Sequence, residues 1–268
     1  ETRAWVQRNH RVELFKPSVM LRNSSFCNLS YPKNRNSLLQ QESLDPMANP
    51  NMYISRGAER AVSSNKVLKN TYMLLSATLA FSALMAGVSI AVALPSWMYL
   101  VSVIVAMVMG IFVLPRTANS SAGIGVIFAI TGLLGLGLGS ILTMYLALPK
   151  GPEIIATAFG GTGLIFLGLS GYALTSKRDF SFLGGFVFAG MMVVVIAMLA
   201  NIFLAMPALS LAISGAIILL MSAFILFDTS RIINGGETNY IMATYGLYLS
   251  IFNIFISLLQ ILGIFGDE

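Results

Sequence analysis

Apolar residues in this chain gather in long uncharged blocks rather than alternating with polar ones. Seven such runs stand out: 71–94, 97–114, 123–147, 154–174, 182–205, 208–227 and 240–264. Each holds roughly 18 to 25 residues, the length at which a helix crosses a hydrocarbon core of about 30 Å. The runs end at turn or charge signals: Pro95-Ser96, Pro115-Arg116, Pro149-Lys150-Gly151-Pro152, Lys177-Arg178-Asp179, Met206-Pro207 and Asn234-Gly235-Gly236. The two-residue alternation of a membrane barrel is absent, so the spans are predicted as helices. The pattern predicts an all-α integral membrane fold of seven transmembrane helices.

Composition agrees. Of 268 residues, 56% are hydrophobic and 10% charged, too little charge to cover a soluble surface. The net charge of +5 is no footprint for nucleic acid. Residues 1–46 hold seven Lys/Arg against four Asp/Glu, and the rest of the chain holds nine against seven, spread thinly. The one histidine, His10, and the one cysteine, Cys27, both precede Met47. The apolar body therefore has no residues for a zinc site, a Ser-His-Asp triad, a Cys-His pair or a disulfide. No lysine interrupts an apolar run, which removes Schiff-base chemistry, and an intramembrane aspartyl protease needs two carboxylates where only Asp228 adjoins a run. The expectation is a protein that is not an enzyme and carries no cofactor.

Basic residues set the expected orientation. Arg56, Arg60, Lys66 and Lys69 precede the first span, and Arg116, Lys177, Arg178 and Arg231 lie in the second, fourth and sixth connections. Lys150 alone lies on the other side. The asymmetry predicts a cytoplasmic N-terminus and a C-terminus outside. Residues 1–46 contain no apolar stretch long enough for a secretory signal and read as a disordered segment or an upstream extension. Residues 47–70 read as a polar, basic cytoplasmic tail, and residues 71–266 as the seven-helix domain.

Polar groups inside the spans carry the remaining information, because burying one in hydrocarbon is costly without a partner. Gly246, Ser250, Asn253, Ser257 and Gln260 follow one another by 4, 3, 4 and 3 positions, which places them on one face of the last helix. That stripe turns the seventh helix toward the bundle interior, either to line a polar path or to tie helices together by hydrogen bonds. Asp228 sits at the end of the sixth run, with Arg231 three residues on and Arg116 on the same membrane side as possible partners. The three are candidates for a proton-sensitive latch, or for an ordinary interfacial ion pair. Gly135 and Gly139, four apart within a span, point to close helix packing rather than to a phosphate loop. The fifteen methionines read as packing filler.

Five blocks are recognisable together: KVLKNTYMLLSATLAFSA (66–83), KRDFSFLGG (177–185), NIFLAMPALSLAISGAIIL (201–219), FDTSRIINGGETNYIMAT (227–244) and LYLSIFNIFISLLQILG (247–263). In these the chain resembles the Bax inhibitor-1 family of seven-helix membrane proteins. The resemblance implies a central seventh helix surrounded by six. Some relatives are pH-sensitive calcium leak channels, in which an aspartate at the position of Asp228 pairs with a second on the last helix and an arginine corresponding to Arg116 latches the pore. The second aspartate falls at Ser250, so the pair is missing here and a confident metal site with it. The bacterial members most similar in these blocks imply instead an inner-membrane substrate and modulator of the AAA protease FtsH, acting in membrane-protein quality control under stress. The expected partners are the lipid bilayer, FtsH and, on the channel alternative, calcium or another cation.

Overall fold

The computed structural model describes residues 50–176 and 178–266. Its helices are α1 (Pro50–Val92), α2 (Trp97–Thr117), α3 (Ala122–Leu146), α4 (Gly151–Ser176), α5 (Leu183–Leu204), α6 (Pro207–Ile233) and α7 (Tyr240–Gly266). Seven are long and apolar enough to cross a membrane, in agreement with the seven runs. The reading of residues 1–46 lies outside the described residues.

Two boundaries differ from the runs for physical reasons. Helix α1 begins at Pro50, so residues 50–70, expected as a tail, are helical. Proline is suited to the first helical position, and the residues that follow include good helix formers such as Ala58, Glu59 and Arg60. An apolar run reports where hydrocarbon starts, not where the helix does. Helix α2 continues past Pro115 to Thr117 through a π-helical turn at Met109–Val113. Pro115 offers no N–H to the preceding turn, and the ladder shifts there: the Leu114 amide bonds the Met109 carbonyl, five residues back.

The helices are joined by short turns. The α1–α2 and α5–α6 turns each use an alanine in the left-handed region, Ala93 (φ 55°) and Ala205 (φ 49°), immediately before the Pro95 and Pro207 segments. Such a conformation costs an L-residue about 1 kcal/mol or more. At Ala205 it is offset by Asn201, whose backbone carbonyl accepts the Ala205 amide and whose side-chain oxygen accepts the Met206 amide at 3.2 Å.

Burial separates centre from periphery. Half the residues in the apolar stretches of α3 and α7 are buried, against 11% in α5. From Tyr240 to Gly263 no residue of α7 is exposed. Helix α7 touches α1 through Tyr248 and Ser82, whose hydroxyls lie 2.6 Å apart. It touches α2 at Gly110, which leaves room for the Tyr245 hydroxyl, and packs on α3, α4 and α6. Helix α5 packs against α6 and turns Phe188, Val193, Ile196 and Phe203 outward, as a lipid-facing helix should. The glycine seam of α3 is a packing device. Gly135 meets the backbone of Ser82, Gly139 meets Ala86 and Ser89, and on the other side Gly137 meets Ser102 and Tyr99 of α2. A Cβ at any of these would push the helices apart.

Candidate functional site

The FDTSRIINGGETNY block forms the end of α6, a turn, and the start of α7. Helix α6 stops because Gly235, at φ 72°, takes the left-handed conformation open to glycine, and the Gly236 amide closes back onto the Arg231 carbonyl at 2.8 Å. Helix α7 starts at Asn239, whose side-chain oxygen accepts the amides of Ile241 at 2.9 Å and Met242 at 3.2 Å.

Asp228 lies on the last turns of α6 and is buried, 7% exposed. Its carboxylate points at Gly246 of α7, where a Cβ would strike it. The Arg231 guanidinium approaches Asp228 to 3.8 Å, bonds Glu237 at 3.0 Å and lies over the Phe227 ring, 5.3 Å from its centroid. One arginine thus bridges two carboxylates, one buried under α7 and one in the turn. Glu237 also accepts the Asn239 amide at 3.0 Å. Arg116, the other latch candidate, is not brought to this cluster. It is exposed and donates to the Phe112 carbonyl of its own helix. Among the described residues the ion pairs are the two made by Arg231. A shared membrane side had placed Arg116 at the correct end of the bundle without fixing its direction around the helix.

The same turn collects bonds from three other parts of the chain. Ser64 of α1 donates to the carbonyls of Ile232 and Ile233 in the last turn of α6, where helix carbonyls run out of intrahelical amides. The Phe180 amide, in the α4–α5 connection, donates to the Ser230 hydroxyl at 2.9 Å, and Asn234 donates to it at 3.1 Å. Asn239 donates to the Ala118 carbonyl at 3.0 Å and to Asn119 at 2.8 Å, fixing the α2–α3 turn. Ser64, Ser230, Glu237 and Asn239 escape a reading of the sequence, because their partners lie 50 to 170 positions away or inside a turn. Also in the α4–α5 connection, the Ser181 hydroxyl and amide donate to Asp179 and hold its carboxyl below the usual carboxylate range.

The polar stripe of α7 resolves into two uses. Ser250 and Ser257 are buried; Ser250 donates to the Gly246 carbonyl at 3.0 Å, and the Asn253 amide donates to the Leu249 carbonyl at 2.8 Å, both within α7. At the far end the Gln260 amide oxygen accepts from Ser214 at 2.7 Å and its nitrogen donates to Ser210 at 2.5 Å, joining α7 to α6. Of these bonds, those of Gln260 tie two helices, and those of Ser250 and Asn253 stay within α7. With serine at 250, Asp228 faces no second carboxylate from that position, and among the described residues no three His, Cys, Asp or Glu side chains gather as metal ligands. The donor set does not favour a calcium site.

A seven-helix membrane bundle, closed by an ion-paired turn onto a buried central helix, is the class that fold and site define. The family model described as "Inhibitor of apoptosis-promoting Bax1" matches residues 64–267. The chain belongs to the Bax inhibitor-1 family. It is 54% identical to the modulator of FtsH protease YccA of Escherichia coli strain K12 over 202 residues, covering 75% of this chain and 91% of that protein. It is 50% identical to an uncharacterized membrane protein of Vibrio cholerae over 210 residues, 78% of this chain and 94% of that one.

Proposed function

We propose that this chain is an inner-membrane modulator and substrate of an FtsH-type AAA protease, a role without catalytic chemistry of its own. The observation that carries the proposal is the 54% identity to YccA across 91% of its length. The same protein from a second Escherichia coli strain is named an inner membrane protein, which supports that location here. The distribution of Lys and Arg supports an orientation with the α6–α7 turn and the start of α1 in the cytoplasm and the C-terminus outside.

The architecture suits such a role. A processive protease must grip a cytoplasmic segment and then pull helices from the bilayer. The stretch from Pro50 to Lys69 offers basic helix ahead of the apolar run. The Ser64 bonds to the end of α6 are the first described tie that a pull from that side meets. Beyond it, the α6–α7 turn holds α1 together with the α2–α3 and α4–α5 connections, so the bundle resists extraction as one unit. A substrate that is gripped readily and extracted slowly occupies the enzyme.

The test is pulse-chase of the full chain in cells with and without FtsH, beside a chain lacking residues 47–60. The full chain should turn over in an FtsH-dependent way, the deletion should lengthen its lifetime, and overproduction should slow degradation of a second FtsH substrate. A lifetime indifferent to both FtsH and the deletion, with the second substrate unaffected, sinks the proposal.

A further inference from the structure

Between α1 and α4 a groove of about 780 Å³ reaches down to the central helix. Its size falls within the roughly 300–1,000 Å³ of sites that enclose a small ligand. The walls are made roomy by small residues, Ala80, Ala83 and Gly87 on α1 and Ala156 and Gly163 on α4, while Phe252 and Phe255 of α7 form the floor. Ala80, Ala83, Gly87 and Ala156 are exposed, so the groove opens sideways, toward bilayer rather than toward either aqueous face.

Three properties identify the occupant. The polar side chains in the lining are Ser82, Thr162 and Tyr248, and all are satisfied internally: Ser82 and Tyr248 bond each other at 2.6 Å, and Thr162 bonds the Ala158 carbonyl at 2.7 Å. The hydroxyl hydrogens are thus spent within the protein, and a lining otherwise apolar offers little to a polar ligand or an ion. The second property is length. From Leu79 to Ile90 the α1 wall runs about 16 Å, close to half of a 30 Å hydrocarbon core and so to one leaflet. The third is charge at the rim. Lys150 stands two residues before the groove-lining Pro152 and is exposed, with Glu153 beside it. It is the one Lys or Arg in the turns at this end of the bundle (93–96, 147–150 and 205–206).

We propose that this groove holds one acyl chain of a bilayer phospholipid against the central helix, with the lipid phosphate at Lys150. The bound chain fills space that helix packing leaves open and makes α7, otherwise enclosed, reachable from the outer leaflet at Phe252 and Phe255.

The test uses the full chain in phosphatidylethanolamine–phosphatidylglycerol vesicles containing a trace of phosphatidylcholine with a photoactivatable diazirine in one acyl chain. After illumination, labelled peptides are mapped by mass spectrometry. Label is expected on α7 around Ile251–Phe255 as well as on the outward face of α5. Gly87 and Gly163 have open space where a Cβ would stand, so the Gly87→Leu/Gly163→Leu variant fills the groove without a clash. It should lose the α7 label and keep that on α5. Lys150→Glu should reduce the α7 label in the same direction. An unlabelled α7 in the native chain, or an α7 label unchanged in the filled variant, overturns the proposal. An α7 label undiminished by Lys150→Glu overturns the phosphate contact. Crosslinks between two copies through α1 or α4, with α7 unlabelled, assign the groove to a second copy and also overturn it.

Discussion

At the α6–α7 turn, hydrogen bonds from α1 and two connections converge on a few residues, whereas at the opposite end α1 and α4 part around a groove of about 780 Å³. Both ends meet the same problem, since helix termini carry backbone groups without intrahelical partners. The first end solves it with protein: Ser64 serves the carbonyls of α6, and Asn239 the amides of α7. The second relies on left-handed alanines followed by proline, with Gln260 as its cross-helix polar tie. Cross-chain hydrogen bonds are therefore concentrated at the Asp228 end, and the groove, at Gly87 and Gly163, is where side chains can be added at little cost.

The sharpest way to break that contrast is Gly246→Val. The added side chain strikes the buried Asp228 carboxylate and presses on the Phe224 ring, and the loss should be about 3 kcal/mol, at the upper part of the overpacking range. Thermal melting of the detergent-solubilised protein measures it. Asp228→Ala in the same chain should recover part of the loss, because the two side chains compete for one space. The counterpart at the groove end, Gly87→Leu, should stay within about 0.5 kcal/mol of the parent. Equal losses at the two glycines would dissolve the distinction between the ends.

Asn239→Ala comes next, at about 1–2 kcal/mol. It removes a helix N-cap and the bonds to Ala118 and Asn119 together. Amide hydrogen exchange should speed up in the α2–α3 turn as well as at the start of α7. Faster exchange at α7 alone would mean that the turn is held by something else. Arg231→Ala leaves the buried Asp228 without its nearby cation, but the guanidinium is over a third exposed, so the loss should be only about 1 kcal/mol and should shrink as salt is added to the parent.

How far the sequence disclosed this architecture depends on the range of each signal. Hydrocarbon imposes length and apolarity on every span, so seven runs were enough for seven helices. Gly135 and Gly139 were legible as a packing pair because their spacing is a helical repeat, and Arg231 was legible beside Asp228 for the same reason. The start of α1 at Pro50 was not, since a helix continues into water without any apolar mark. Nor were Ser64, Ser230 and Asn239: a lone polar residue carries no period, and its partner is set by how distant turns meet. Arg116 shows the limit from the other direction. Charge bias reports the side of the membrane but not the direction a side chain takes around its helix, and this one bonds its own backbone.

Gln260 supplies the smallest and most discriminating case. It donates to Ser210 and accepts from Ser214, so Gln260→Leu deletes both α6–α7 bonds while keeping volume and apolar contact. In a membrane interior a helix–helix hydrogen bond contributes about 0.6 kcal/mol on average, because separated helices find other partners. The pair should therefore be worth about 1 kcal/mol, less than Asn239 at the opposite end. If Gln260→Leu instead costs as much as Gly246→Val, Gln260 does more than tie two helices. The stripe from Ser250 to Gln260 would then have to be read as a solvated path, whose closure depends on that amide.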